Sequence, residues 1–190
     1  MRFLVIALLL MPSAAGAQIT DLERQRLLAH MEMTKSWLES ELIDLSAAQA
    51  AFRPAAERWS ILDVLDHLVV VGPIYWRDLQ EAKATPGRAG TMSDVDVLWY
   101  GIDRTNRETA LAREEPSRQI KDLASGLKAY RAQHARLREY VRTTKDDLRR
   151  RLVARQSSDA YQWALLISTH EQRHILQIRE IKENPAFPKR

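Results

Sequence analysis

The sequence predicts an all-α four-helix bundle preceded by a signal peptide. Three observations carry this. Apolar residues recur at helical spacing in four long stretches; one long, weakly patterned segment separates the second stretch from the third; and no run alternates as a half-buried strand does. The chain has 190 residues, 45% hydrophobic and 28% charged, the balance of one globular domain with a core of its own. No cysteine is present, which excludes disulfides, iron–sulfur clusters, Cys-ligated zinc, thiol nucleophiles and an N-terminal lipoprotein anchor. The formal net charge of +4 is too small to point to a polyanionic partner.

The leader comes first. Met1-Arg2 is a positive start, Phe3 to Leu10 is an unbroken apolar run, and Pro12-Ser13 ends it. Ala15-Gly16-Ala17 then supplies a small-x-small cleavage pattern before Gln18. The run is about half the roughly 20 residues needed to span a bilayer. The expected domains are therefore a signal peptide over residues 1–17 and a bundle domain over 18–190, exported to the periplasm or secreted, with no membrane attachment after cleavage.

Thr20-Asp21-Leu22-Glu23 has capping-box spacing, and Leu27, Met31, Leu38, Leu42 and Leu45 follow at spacings of three, four or seven, so the first long helix runs to about Leu42. A loop is expected through Pro54, which lacks an amide donor and disfavours helix at Arg53. Ser60 caps the second long helix, with Asp63 at the capping-box position. Its residues Ile61, Leu62, Val64, Leu65, Leu68, Val69, Val71 and Ile74 are apolar nearly all round, the mark of the most buried helix of a bundle. A kink is expected at Gly72-Pro73, with helix continuing to about Ala84. From Thr85 to Ser117 the pattern weakens, apart from a short helix over Ser93 to Tyr100. A connection that long reads as a crossover that also roofs a site. Leu123, Leu127, Tyr130, His134, Leu137 and Val141 form the third seam, and Asp159 opens the fourth helix, whose seam runs Trp163, Ile167, His170, His174, Gln177, Ile181 before Asn184-Pro185. The connection lengths favour two antiparallel hairpins joined by the crossover. Arg149-Arg150-Arg151 and Arg155 read as a solvated basic loop; no aromatic residues are interleaved for nucleic-acid stacking.

The histidines carry the candidate chemistry. His170 and His174 are one helical turn apart and project about 40° from each other, within reach of one ion. His67 sits in the most apolar helix, in the row of Val64, Val71 and Ile74. Three polar rings on buried seams of two helices each need a partner, and bundle cores are where such metal sites are built. His134 on the third seam is a weaker candidate for a fourth ligand, and His30 flanks the first helix's stripe as a half-exposed residue. His170-Glu171-Gln172-Arg173-His174 also fits H-E-x-x-H, in which Glu171 would activate water on a protease zinc. Against that reading, only 16 residues follow His174, Gln177 and Glu180 stand where the longer His-rich motif needs other residues, and no substrate-binding sheet is evident.

Phe52-Arg53-Pro54, then Trp59-Ser60-Ile61 leading to Asp66-His67-Leu68, resemble the second-helix entry of the DinB/YfiT-like proteins. Asp159 to Trp163, His170 to His174 and Asn184-Pro185-Ala186-Phe187-Pro188 resemble that family's last helix and exit. The resemblance implies a four-helix bundle holding a divalent metal through one His on the second helix and two on the fourth, which by motif are His67, His170 and His174. Its members include cytosolic low-molecular-weight thiol transferases, others that look like hydrolases or isomerases, and many without known activity. A signal peptide sets this chain apart from the thiol-using cytosolic members.

The expectation is therefore an exported protein that binds zinc or nickel and acts as a hydrolase or transferase on a small molecule, without nucleic acid and with a homodimer allowed. Three neutral imidazoles leave coordination positions open, the catalytic pattern rather than the structural one. Asp63, one turn before His67, and Gln177, one turn after His174, are candidates to orient the ligand rings. Glu171 is a candidate proton carrier, or a surface residue, since it points about 100° away from His170. The rival reading is a non-catalytic bundle whose seam histidines are structural.

Overall fold

The computed structural model describes residues 19–87 and 89–189, so the expected leader lies outside the described residues. Four long helices form the bundle: α1 (Asp21–Leu42), α3 (Ile61–Gln80), α5 (Leu123–Thr143) and α6 (Ala160–Lys182). Two short ones, α2 (Ala47–Ala51) and α4 (Asp94–Ile102), lie in the connections. Each long helix starts at a residue whose side chain accepts an amide of the first turn. In α1, α3 and α6 the bond is reciprocated, the capping box pairing Thr20 with Glu23, Ser60 with Asp63 and Asp159 with Gln162. The buried stripe of α1 is Leu27, Met31, Thr34, Leu38 and Leu42, a strict three-and-four spacing.

Side-chain pairs fix the directions. Met31 meets His134, Glu39 meets Arg131 and Arg24 meets the Val141 carbonyl, so α1 and α5 are antiparallel. His30 meets Ser168 and Glu41 meets Arg179, so α1 and α6 are parallel. His67 meets His174 while Tyr75 meets Trp163, so α3 and α6 are antiparallel. Both α1 and α3 pack on both α5 and α6. Within each pair joined by a shorter connection, α1 with α3 and α5 with α6, the helices thus run in opposite senses, as expected, but lie diagonally across the bundle rather than as adjacent hairpins; α3 and α5, joined by the crossover, run parallel and side by side. The long crossover makes this possible by carrying the chain past α6, with α4 laid along that helix.

α3 passes through Pro73 without ending. Proline has no amide to give the Val69 carbonyl one turn back, and the Gln133 side-chain amide of α5 donates to that carbonyl instead, at 2.9 Å. The helix stops at Gln80, short of the expected Ala84, because Lys83–Ala84 forms strand β1. β1 pairs antiparallel with β2 (Arg151–Val153), which pairs antiparallel with β3 (Ser158–Asp159); Lys83 faces Leu152 and Leu152 faces Asp159. Strands of two or three residues are too short for an alternation to register in the sequence. Likewise α2 is a single turn, foreshadowed only by its own capping box, Ser46 with Gln49.

The basic run is not a solvated loop. Arg149 is 13% exposed at its side chain and binds Glu23 of α1, Asp94 of α4 and Asp159 at the cap of α6, the last fully buried. One guanidinium thereby gathers three helix N-termini, where carboxylates also favour the helix dipole.

The core is two apolar clusters with a polar layer between them. One holds Leu27, Met31, Val71, Tyr75, Leu79, Val141 and Trp163; the other holds Leu38, Leu42, Ile61, Val64, Leu65, Tyr130, Ile175 and Ile178. Thr34, His67, His134, Ser168, His170, Glu171 and His174 occupy the intervening level, all buried.

Candidate metal centre

Within that layer α3 and α6 bring three histidines to one point. His170 Nε2 lies 3.3 Å from His67 Nε2 and 3.1 Å from His174 Nε2. One ligand atom from each of the three lies within 4.8 Å of the others, and all three residues are buried. Helical geometry places His170 and His174 on one face of α6, and the antiparallel approach of α3 sets His67 against them.

The remaining ring nitrogens have oxygen partners that select the tautomers. His67 Nδ1 is 2.5 Å from the Glu114 carbonyl, which can only accept, so Nδ1 carries the proton and Nε2 presents a lone pair. His174 Nδ1 is 2.8 Å from Gln177 Oε1, which has the same effect. Burial holds the His67 imidazole below its ordinary pKa, and holds His170 and His174 well below it, with neighbouring histidines adding to the shift. The rings are therefore neutral at neutral pH, the form that binds metal. Two or three converging lone pairs, with oriented rings, make a donor set suited to a divalent ion.

Aromatic rings surround the cluster. Trp59 lies 4.9 Å from the His67 ring and stacks at 6.1 Å on His174. Tyr75 meets His170 edge-on at 5.4 Å, and Tyr100 lies parallel to it at 6.5 Å. Burial pushes the Tyr100 hydroxyl up to about 12. Tyr100 belongs to α4 and Glu114 to a 3₁₀ turn at Ala112–Glu114, so the crossover does roof the cluster.

The other sequence candidates fall in different places. Gln177 contacts the His174 ring, as expected of a residue one turn on. Asp63 does not turn toward His67: its carboxylate accepts from the Ser60 amide at 2.7 Å and the Ser60 hydroxyl at 2.6 Å, and pairs with Arg53 at 2.8 Å. A helix-start carboxylate serves the free amides beside it first. Glu171 is neither a surface residue nor part of the cluster. It accepts from the Thr34 hydroxyl at 3.1 Å and the Tyr130 hydroxyl at 3.0 Å, on α1 and α5, while the histidines face α3. Burial pushes its carboxyl up to about 8 despite those two hydrogen bonds. In H-E-x-x-H chemistry this Glu must reach the metal's water, and here it faces a different pair of helices. His134 donates to the Met31 carbonyl at 3.1 Å and is a core residue; His30 is half-buried against Ser168 at 2.8 Å.

Three further residues around the cluster are not among the sequence's site candidates. Glu114 acts through its backbone. Asp66 is buried beside His67 and accepts from the Ser117 hydroxyl at 3.0 Å and from the Arg118 amide. Arg155 binds the Glu114 carboxylate. Only Asp66 left a clue, being a carboxylate in an otherwise apolar helix, where a charge must find partners.

A model of the DinB superfamily matches residues 19–178. The uncharacterized protein YuaE of Bacillus subtilis (strain 168) is 30% identical over 151 residues, covering 76% of this chain and 90% of that protein. No solved structure matches significantly.

Proposed function

The chain belongs to the DinB superfamily, and on that premise we propose that it is an exported metalloprotein whose His67, His170 and His174 hold zinc or nickel and serve a hydrolase or transferase reaction on a small molecule. The observation that carries this reading is the convergence of three buried Nε2 atoms from two helices, with the lone pairs of His67 and His174 set by the Glu114 carbonyl and Gln177. Without a shared cation, His170 Nε2 can offer at most one proton to the lone pairs of His67 and His174, so the cluster buries more acceptors than donors. A divalent ion held there supplies Lewis-acid chemistry. Three protein ligands leave room for a substrate group, and Trp59, Tyr75 and Tyr100 give that space an aromatic wall. Peptide hydrolysis by the H-E-x-x-H route is disfavoured by the placement of Glu171.

Export is part of the proposal and rests on the leader's sequence, with Gln18 as the first mature residue. Among the described residues no helix is long and apolar enough to cross a membrane. The metal reading is tested by elemental analysis of protein purified without chelator, beside His67→Ala and His170→Ala. About one equivalent in the wild type, lost in both variants with helical content retained, is the expected result. Less than about 0.1 equivalent, with no uptake of added zinc or nickel, leaves the non-catalytic bundle as the answer. N-terminal sequencing of the exported fraction tests the cleavage site, and a membrane-bound product retaining Met1 refutes it.

A further inference from the structure

We infer that Arg155 is a positioning residue for the metal centre, holding the Glu114 carbonyl that orients the His67 ring. The inference rests on the three-histidine reading above. Arg155 stands in the turn at residues 154–157 between β2 and β3, far in sequence from every candidate ligand. Its guanidinium is bound on three sides. It pairs with the Asp78 carboxylate of α3 at 3.2 Å, and it lies 5.1 Å from the Tyr75 ring and 5.8 Å from the Trp163 ring. It also binds the Glu114 carboxylate, whose side chain is 7% exposed. Asp78 and Tyr75 sit on the helix that carries His67, and Trp163 sits on the helix that carries His170 and His174. The arginine thus measures the position of Glu114 from the two ligand helices themselves.

Glu114 needs such a tether. It lies in the crossover, where the chain forms only a 3₁₀ turn at Ala112–Glu114, and its carbonyl reaches the His67 ring from outside the bundle. A second tether follows a few residues on, where the Ser117 hydroxyl and the Arg118 amide bind Asp66. With both in place the carbonyl keeps His67 protonated at Nδ1 and its Nε2 lone pair aimed at His170. With Arg155 removed, the nearest side-chain attachment left to Glu114 among the described residues is that of Asp66, three and four residues on. The ring then loses its fixed acceptor and its tautomer. Outer partners of metal-bound histidines are worth about 10–100-fold in metal affinity, and a partner held at one remove falls in the same range.

The test uses Arg155→Met, Arg155→Lys and the double variant Arg155→Met with Glu114→Gln. The double variant removes the ion pair without leaving the buried Glu114 carboxylate unpaired, so it carries the test should the single variant fold poorly. Zinc affinity is measured by competition with a chromophoric chelator. The ring tautomer of His67 is read from its ¹⁵N shifts in metal-free protein. The expected results are a zinc affinity lower by about 10-fold or more in Arg155→Met and in the double variant, partial recovery in Arg155→Lys, and a mixed His67 tautomer in place of a single Nδ1–H form. A merely structural arginine would lower thermal stability and leave zinc affinity within about 2-fold and the tautomer unchanged, which overturns the inference. If the wild type takes up no metal while Arg155→Met still mixes the tautomer, the positioning role stands and the metal reading falls.

Discussion

Replacing Gly72 by alanine tests the most unusual joint in the fold, the passage of α3 through Pro73. In an ordinary helix interior this exchange stabilises by about 1 kcal/mol, through helix propensity. Here a Cβ at position 72 would lie 2.1 Å from Gln133 Oε1 and 2.6 Å from its Cδ, so the glutamine must leave. That amide is the donor to the Val69 carbonyl, which Pro73 cannot serve. Losing a hydrogen bond and leaving its partner unsatisfied costs about 1–3 kcal/mol; Val69 is half-buried, and water reaching its carbonyl keeps the cost near 1–2 kcal/mol. The two terms oppose, and the loss wins: Gly72→Ala destabilises by up to about 1 kcal/mol. Gln133→Ala alone costs the full bond loss of about 1–2 kcal/mol, with no propensity gain to offset it. In the Gln133→Ala background both the clash and the bond are gone, so Gly72→Ala changes sign and stabilises by about 1 kcal/mol. Urea denaturation of the four metal-free proteins gives the cycle. A coupling below about 0.5 kcal/mol, with Gly72→Ala stabilising in both backgrounds, refutes the account of how the helix tolerates its proline.

Arg149→Met should cost about 3 kcal/mol, the lower end for breaking a buried pair, since Asp159 is fully buried while Glu23 and Asp94 still reach water; adding Asp159→Asn, which retains the cap, should recover most of it in the same denaturation assay. Gln177→Leu should weaken zinc binding by about 10–100-fold in chelator competition while the bundle stays folded, because it frees the His174 ring; unchanged affinity refutes its role as orienter. The metal-free protein should lose stability as pH falls below about 6.5. Burial lowers the pKa of all five histidines, so the unfolded chain takes up protons that the native state refuses. Glu171, with its native pKa raised to about 8, works in the opposite sense, gaining stability as pH falls from about 8 toward 4.5. The net slope is then at most about 5 kcal/mol per pH unit, and a urea midpoint that stays flat from pH 7.5 to 5.5 refutes the buried, neutral histidines.

What the sequence made legible follows from periodicity and local caps. Leu27, Met31, Leu38 and Leu42 repeat with the helix, Ser60 and Asp159 sit three residues before their capping partners, and His67, His170 and His174 lie on seams that must face inward. Each of those inferences needs only residues within one or two turns. Most of the misses depend on partners distant in the chain. Arg149 looked solvated because Glu23 and Asp94 lie 126 and 55 residues away. Asp63 had two legible roles, capping partner of Ser60 and neighbour of His67 one turn on, and the adjacent Ser60 amide and hydroxyl take its carboxylate. Glu114 meets the His67 ring with a backbone carbonyl, a group every residue has, so no residue type could have marked it.

The string His170 to His174 shows why a motif must be read with its neighbours. On one helix the spacing alone puts two imidazoles on a common face and a carboxylate about 100° away. In a zincin that second direction is the substrate cleft. Here every direction around α6 is occupied. The imidazoles meet α3. Glu171 reaches Thr34 and Tyr130 on α1 and α5. Arg173 donates to the carbonyls of Tyr100, Asp103 and Asn106, closing the C-terminal end of α4. A Cβ at Gly101 would strike the Gln172 side chain, so α4 passes α6 at backbone distance on that side. The same five residues that would cut a peptide on an open sheet are, at the centre of a bundle, two clustered imidazoles, a buried proton-bearing carboxyl and a helix cap. The carboxylate's direction, set by whichever helices flank it, decides between the two chemistries, and in this chain α1 and α5 have claimed it.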